Sequence, residues 1–217
     1  MRRFGLIAAV PLAALLFTGS VAAQDATPAP EGGGRVVGAN ECKGEPMAAD
    51  AVMTAATTQP SGDLGYKVTI PLGPAVDADT RGAVSDAIRS FFGCLNANDN
   101  ARAANQLTPT GIFVVFGPLA NNPQTADAFK ASLSKPPAPR PDEQALRLLT
   151  TTDVVDLGNN YLAALVTIND PQALPRGPQT LLLVLQNDNG VYKVANVITF
   201  TKVVAPQGTP EASPAAS

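Results

Sequence analysis

The sequence predicts an α+β fold in which three helical segments precede an antiparallel sheet of about four long strands. Three observations carry this. Apolar residues recur at spacings of three and four between residues 84 and 107, the period of a helix with one buried stripe. From residue 144 onward the chain turns to long runs rich in Leu, Val, Ile and Thr, the composition of strands. Two turn signals, GNN and NDNG, cut those runs into hairpins. Strands that follow helices in this way place the helices on one face of the sheet.

Each element has its own grounds. The first helix is capped by Asp79, and Val84, Ile88, Phe91, Phe92 and Leu95 form its stripe. The polar break NAND ends it, and Asp99 caps a second helix bearing Ala101, Ala104 and Leu107. TPTG ends that helix, because proline cannot continue one. IFVVF, residues 112–116, then reads as a short, wholly apolar strand. TADAFKASLSK is a third short helix with Phe129 and Leu133 one turn apart, and PPAPRP stiffens the loop after it. QALRLLTTTDVVDL and YLAALVTIND flank GNN, and TLLLVLQ and VYKVANVITF flank NDNG. Upstream of all these, MAADAVMTAA suggests a short helix and GYKVTIPLG one alternating strand.

The ends of the chain read differently. Residues 1–23 carry Arg2 and Arg3, an apolar run and small residues. This is the three-part pattern of a secretory signal, with cleavage after Ala23. Pro11 and Gly19 interrupt the apolar run, which is shorter than the roughly 20 residues a spanning helix needs. No stable membrane insertion is therefore expected. Residues 24–40 read as a flexible leader, 41–76 as an N-terminal arm, 77–203 as the folded domain and 204–217 as a disordered tail. Cys42 and Cys94 are the only cysteines of the chain. In an exported protein such a pair favours a disulfide tying the arm to the first helix. The expected localisation is secreted, extracellular or in the cell envelope.

Charge and composition exclude several functions. Cleavage removes two arginines and no acid, taking the net charge from −3 to −5. With no basic run, nucleic acid and anionic surfaces are poor partners. The chain has no histidine, so Ser-His-Asp and Cys-His arrangements are impossible. NDNG lacks the remaining acidic ligands of a calcium loop and reads as a turn, so no metal site or cofactor is expected. Asp153 and Asp156, three apart in a strand, face opposite ways and read as a solvated edge.

The stretch AIRSFFGCLNANDNARAANQLTPTG, taken with the hairpins and LLLVLQNDNGVYKVANVITF, resembles the nuclear transport factor 2-like superfamily. That group includes SnoaL-like and ketosteroid-isomerase-like proteins. The resemblance spans roughly residues 77–202, and its most specific pieces are LNAND and NGVYKVANVI. It implies a cone-shaped barrel, in which a curved antiparallel sheet wraps a long N-terminal helix and leaves an apolar pocket open at one end. It also implies that the break at residues 96–99 closes the narrow end of the cone, where Cys94 tethers the arm.

The catalytic positions that the resemblance carries are not matched. The tyrosine donor of ketosteroid-isomerase-like members falls at Phe91, which has no hydroxyl. Their general-base aspartate falls at Val115, which cannot take a proton. Dehydratase-like relatives use histidine. No catalytic residue is assigned.

A ligand pocket formed by Phe91, Tyr192 and Asn196 is expected instead. Alternation along the last strand puts Tyr192, Val194, Asn196, Ile198 and Phe200 on one apolar face. Asn196 is thus an amide among apolar neighbours, which is bonded to backbone, exposed near the open edge of the strand, or in contact with a ligand. Three readings stay open. The first is a non-enzymatic cone-fold domain that binds a small apolar molecule or a protein partner. The second is a SnoaL-like isomerase, cyclase or hydrolase acting on a cyclic apolar substrate. The third is a structural assembly module with no ligand, and a homodimer is compatible with each.

Overall fold

A computed structural model describes residues 34–60, 73–173 and 177–200. The chain divides into two units, Met1–Gly32 and Gly33–Ser217, and every described residue lies in the second. The expected signal peptide, residues 24–33 of the leader, most of the GYKVTIPLG strand and the residues after 200 lie outside the described residues.

The observed fold is α+β, and among the described residues five α-helices precede four long strands. The helices are α1 (Ala49–Thr57), α2 (Ala78–Asn96), α3 (Asn100–Asn105), α4 (Pro109–Ala120) and α5 (Ala126–Ser132). A short β1 (Arg35–Val36) joins β2 (Arg147–Gly158), β3 (Tyr161–Asn169), β4 (Pro178–Asp188) and β5 (Val191–Thr199). The sheet has the order β1-β2-β3-β4-β5, antiparallel throughout. Both expected hairpins are present. Their tips hold Gly158, Asn159 and Asn160, then Asn189 and Gly190, all at positive φ, which these residue types tolerate best.

The core lies on one face of the sheet. Leu162, Ala164 and Val166 of β3, with Leu181, Leu183 and Leu185 of β4, meet Val84, Ile88, Phe91 and Phe92 of α2. Helix α4 packs on β5 and against α1, burying Ile112 and Phe116, whose ring stacks on Phe129 of α5 at 5.1 Å.

Four sequence expectations are corrected. Helix α2 is capped by Asp77, whose carboxylate accepts from the Thr80 N–H at 2.7 Å. Asp79 lies inside the first turn, where its charge still suits the helix dipole. TPTG begins a helix and does not end one: Thr108 accepts from the Gly111 N–H at 3.1 Å, and Pro109 takes the first helical position. IFVVF is therefore the middle of α4 and not a strand. Its apolar run is too short for periodicity to tell the two apart, and burial of Ile112 and Phe116 four residues apart favours helix. The described part of the leader is not a free segment, since Arg35 and Val36 pair with Leu148 and Arg147 and Val37 is buried.

The expected disulfide joins Cys42 to Cys94, with Cα atoms 4.4 Å apart. The neighbouring α2 residues receive the arm. The Ser90 hydroxyl accepts from the Lys43 N–H at 3.0 Å. A Cβ on Gly93 would stand 2.9 Å from the Cys42 nitrogen, so only glycine lets the two backbones approach this closely.

Candidate functional site

Two irregularities in the strands decide which side chains meet. In β5, Val194 pairs with Leu185 and Asn196 pairs with Val184. One extra residue, Ala195, is thus accommodated between them as a bulge. Paired residues share a face of a sheet. Tyr192 and Val194 accordingly belong with Asn187 and Leu185 on the core face, whereas Asn196 belongs with Leu182, Val184 and Ile198 on the opposite one. The three expected pocket residues are not brought together. The alternation that groups Tyr192 with Asn196 holds only for an unbulged strand. The Oδ1 of Asn196 is buried without a hydrogen-bond partner.

Phe91 is buried in the core, its ring 5.3 Å from that of Phe92. Tyr192 borders a cavity at the hairpin end of the sheet.

The second irregularity is in β2. Its register shifts between Thr152 and Val155, and Asp153 has a φ of 51°. The bulge resets the alternation, so that Asp156 pairs with the core residue Leu162. Asp153 stays exposed, and Asp156 reaches the rim of a cavity of about 500 Å³.

That cavity sits where both hairpin tips meet the start of α2. Its walls include Asp77 and Thr80 of the helix cap, Asp156 and Asn160 around the first tip, and Asn187 and Tyr192 beside the second. Backbone contacts hold these parts together. The Asp156 N–H donates to the Pro74 carbonyl at 3.0 Å, the Val76 N–H to Val154 at 3.4 Å, and the Asn187 N–H to Asn160 at 2.8 Å. Residues 74–76 are thereby laid along β2, and the first hairpin tip is tied to β4.

The polar groups facing the cavity are partly committed. Asp77 accepts from both the N–H and the hydroxyl of Thr80, at 2.7 and 3.0 Å. Donation from the Thr80 backbone, then from its hydroxyl, holds the Asp77 carboxyl below its ordinary value. Asp156 accepts from the Gly158 N–H at 2.7 Å through Oδ1. The Tyr192 hydroxyl accepts from Asn187 Nδ2 at 3.4 Å, which leaves its own proton to donate. The Asn187 Oδ1 takes the Gly190 N–H at 2.7 Å, so NDNG serves as a turn. The walls offer several acceptors, a phenol donor and the apolar side chains of Pro74, Ala75, Val76 and Leu162.

The Asp77 carboxylate is poorly suited to taking up a proton. A carboxylate held ionised by two hydrogen bonds is a weak base. Among the described residues no group of three or more His, Cys, Asp or Glu side chains is placed to hold a metal ion. None of the described helices is long and apolar enough to cross a membrane. The position matched to the general base of ketosteroid-isomerase-like proteins, Val115, lies in α4 and not in a strand. No protein-family model matches the chain, and neither does any curated protein or solved structure.

Sequence reasoning identified Tyr192 and missed Asp77, Thr80, Asp156 and the asparagines at the tips. Positive-φ residue types at GNN and NDNG marked the tips themselves, but nothing in local sequence places two tips beside a helix cap.

Proposed function

We propose that this chain is an exported, non-catalytic binding domain built on a cone of the nuclear transport factor 2-like kind. Its cavity at the hairpin end takes a small molecule. The observation that carries the reading is the cavity itself. A space of about 500 Å³ falls within the size range of small-molecule sites. Polar groups from α2, β2 and β5 converge on it while the core behind it is apolar. Export is supported by the signal-like residues 1–23 and by the Cys42–Cys94 bond. A non-catalytic role is supported by Phe91 and Val115 at the positions where ketosteroid-isomerase-like proteins carry a donor and a base, and by the lack of histidine.

The test is a ligand-observed NMR screen of small metabolites against the exported protein and an Ala75→Trp variant. Ala75 is exposed and lines the cavity, so the indole fills the space from outside. Binders whose saturation transfer disappears in the variant, at unchanged melting temperature, support the reading. A broad panel with no binders, or binders indifferent to the indole, contradicts it and leaves the structural assembly role.

A further inference from the structure

We propose that the outer face of the sheet, turned away from the helices, joins two copies of this chain face to face about a two-fold axis at Asn196. This face is separate from the cavity, whose walls take Leu162 and Tyr192 from the core face. Two independent observations meet on it.

The first is an apolar surface outside the core. The strand registers align Thr152, Leu165, Leu182 and Ile198 in one row and Val155, Ala163, Val184 and Asn196 in the next. Paired residues share a face. Among the described residues, none of the six apolar side chains in these rows belongs to the core cluster or packs against it. Ala163 and Leu182 are buried, and the other four are half-buried. Alternation sets Leu157, Tyr161 and Val191 on the same side, each being the neighbour of a core-facing residue. They are three of the four large apolar side chains exposed among the described residues, at 37%, 36% and 57%. Paired threonines, Thr167 with Thr150 and Thr180, border the rows at one end, and Gln186 with Lys193 at the other. An apolar centre inside a polar rim is the anatomy of a protein interface.

The second is an acceptor that the single chain leaves empty. The Oδ1 of Asn196 is buried without a hydrogen-bond partner, which is unfavourable for an amide until a donor reaches it. It stands in the apolar rows beside Val184. A two-fold interface brings a residue near the axis against its own copy. An amide offers both donor and acceptor, so two Asn196 side chains that face each other satisfy both oxygens. Such a pair also fixes register, as single buried asparagines do between coiled-coil helices. Charge and area fit the same occupant. The two rows hold no charged side chain, so copies of a chain with net charge −3 meet where neither carries charge. Four strands about 4.8 Å apart, over about seven residues each, span roughly 450 Å² in plan. The side chains standing on that plane raise the accessible area towards the roughly 800 Å² per partner of a standard interface.

Sedimentation equilibrium on the exported protein should give twice the mass of one chain, with a melting temperature that rises with concentration. Leu165→Glu sets a charge into the apolar rows of both copies and should weaken association about a hundred-fold. Asn196→Asp should weaken it about ten-fold at neutral pH, where two carboxylates oppose each other, and Asn196→Leu should not. Cys42 and Cys94 are joined, so an introduced cysteine is the only free thiol. Asn196→Cys should therefore form a covalent dimer under mild oxidation, and Ala75→Cys, at the cavity, should not. This cross-link reads the axis even where Leu165→Glu fails to fold. A mass of one chain at every concentration overturns the inference, and a steep fall in the melting temperature of Leu165→Glu would then assign the face to a segment of the same chain. A dimer that withstands Leu165→Glu and does not cross-link in Asn196→Cys joins elsewhere and overturns it too.

Discussion

The side-chain amide of Asn96 grips both backbone groups of Leu146. Its Oδ1 accepts from the Leu146 N–H at 2.8 Å, and its Nδ2 donates to the Leu146 carbonyl at 2.9 Å. The same Nδ2 donates to the Val37 carbonyl at 2.9 Å. An asparagine at the end of α2 thus stands in for a strand partner, fixing where the chain enters β2 and where the arm passes. All three residues are buried. The polar break LNAND therefore serves the fold by satisfying buried backbone that no neighbouring strand reaches.

Replacing Asn96 by alanine leaves one backbone N–H and two carbonyls without these partners. Chemical denaturation should show a loss of about 2–4 kcal/mol. Asn96→Asp should also destabilise, because a carboxylate cannot donate to Val37 and Leu146. A change within experimental error would mean that water replaces the amide.

The Cys42–Cys94 bond closes a loop across 52 residues. Loop-closure entropy puts its contribution at about 4 kcal/mol. The double variant Cys42→Ser/Cys94→Ser should lose stability on that scale, and amides of residues 39–47 should exchange faster. Intact mass after alkylation without reductant should show no added label on the exported protein.

The cap of α2 makes stability depend on acidity. The folded-state carboxyl of Asp77 lies below its ordinary 3.8, so in acid the unfolded chain binds the proton first. The contribution is complete above the ordinary value and is lost as pH falls through the folded one. Melting temperature below about pH 4 should fall more steeply for the wild type than for Asp77→Asn, whose cap does not titrate. Parallel curves would contradict the assignment.

Two glycines should respond with opposite signs. A Cβ at Gly111 would run into the Val194 carbonyl oxygen, where α4 crosses the bulged strand. Gly111→Ala should cost about 1–3 kcal/mol. Gly82, within α2, has open space around it, and Gly82→Ala should stabilise by about 1 kcal/mol.

Much of this fold is legible in the sequence wherever a signal repeats. The α2 stripe recurs over several turns, the hairpins carry both alternation and turn residues, and one cysteine pair admits one disulfide. What escaped depends on single residues or distant neighbours. IFVVF is helical because its cap, Pro109 and the core all favour helix, and five apolar residues alone do not say so. Ala195 as one extra residue reverses the faces after Val194, which separates Asn196 from Tyr192. The shift around Asp153 does the same for Asp156 and brings it to the cavity. Bulges leave little local signature, so the candidate site was the part least open to sequence reasoning.

The central claim is that small molecules bind where Asp77, Asp156 and Tyr192 converge. The most direct measurement is amide chemical-shift mapping on isotope-labelled protein titrated with the binders that the metabolite screen returns. The account predicts saturable shifts at Thr80, at residues 156–160 and at residues 187–192, with α1 and α5 unmoved. Saturable shifts confined to α1 and α4, or none at any concentration for any screened molecule, would contradict it.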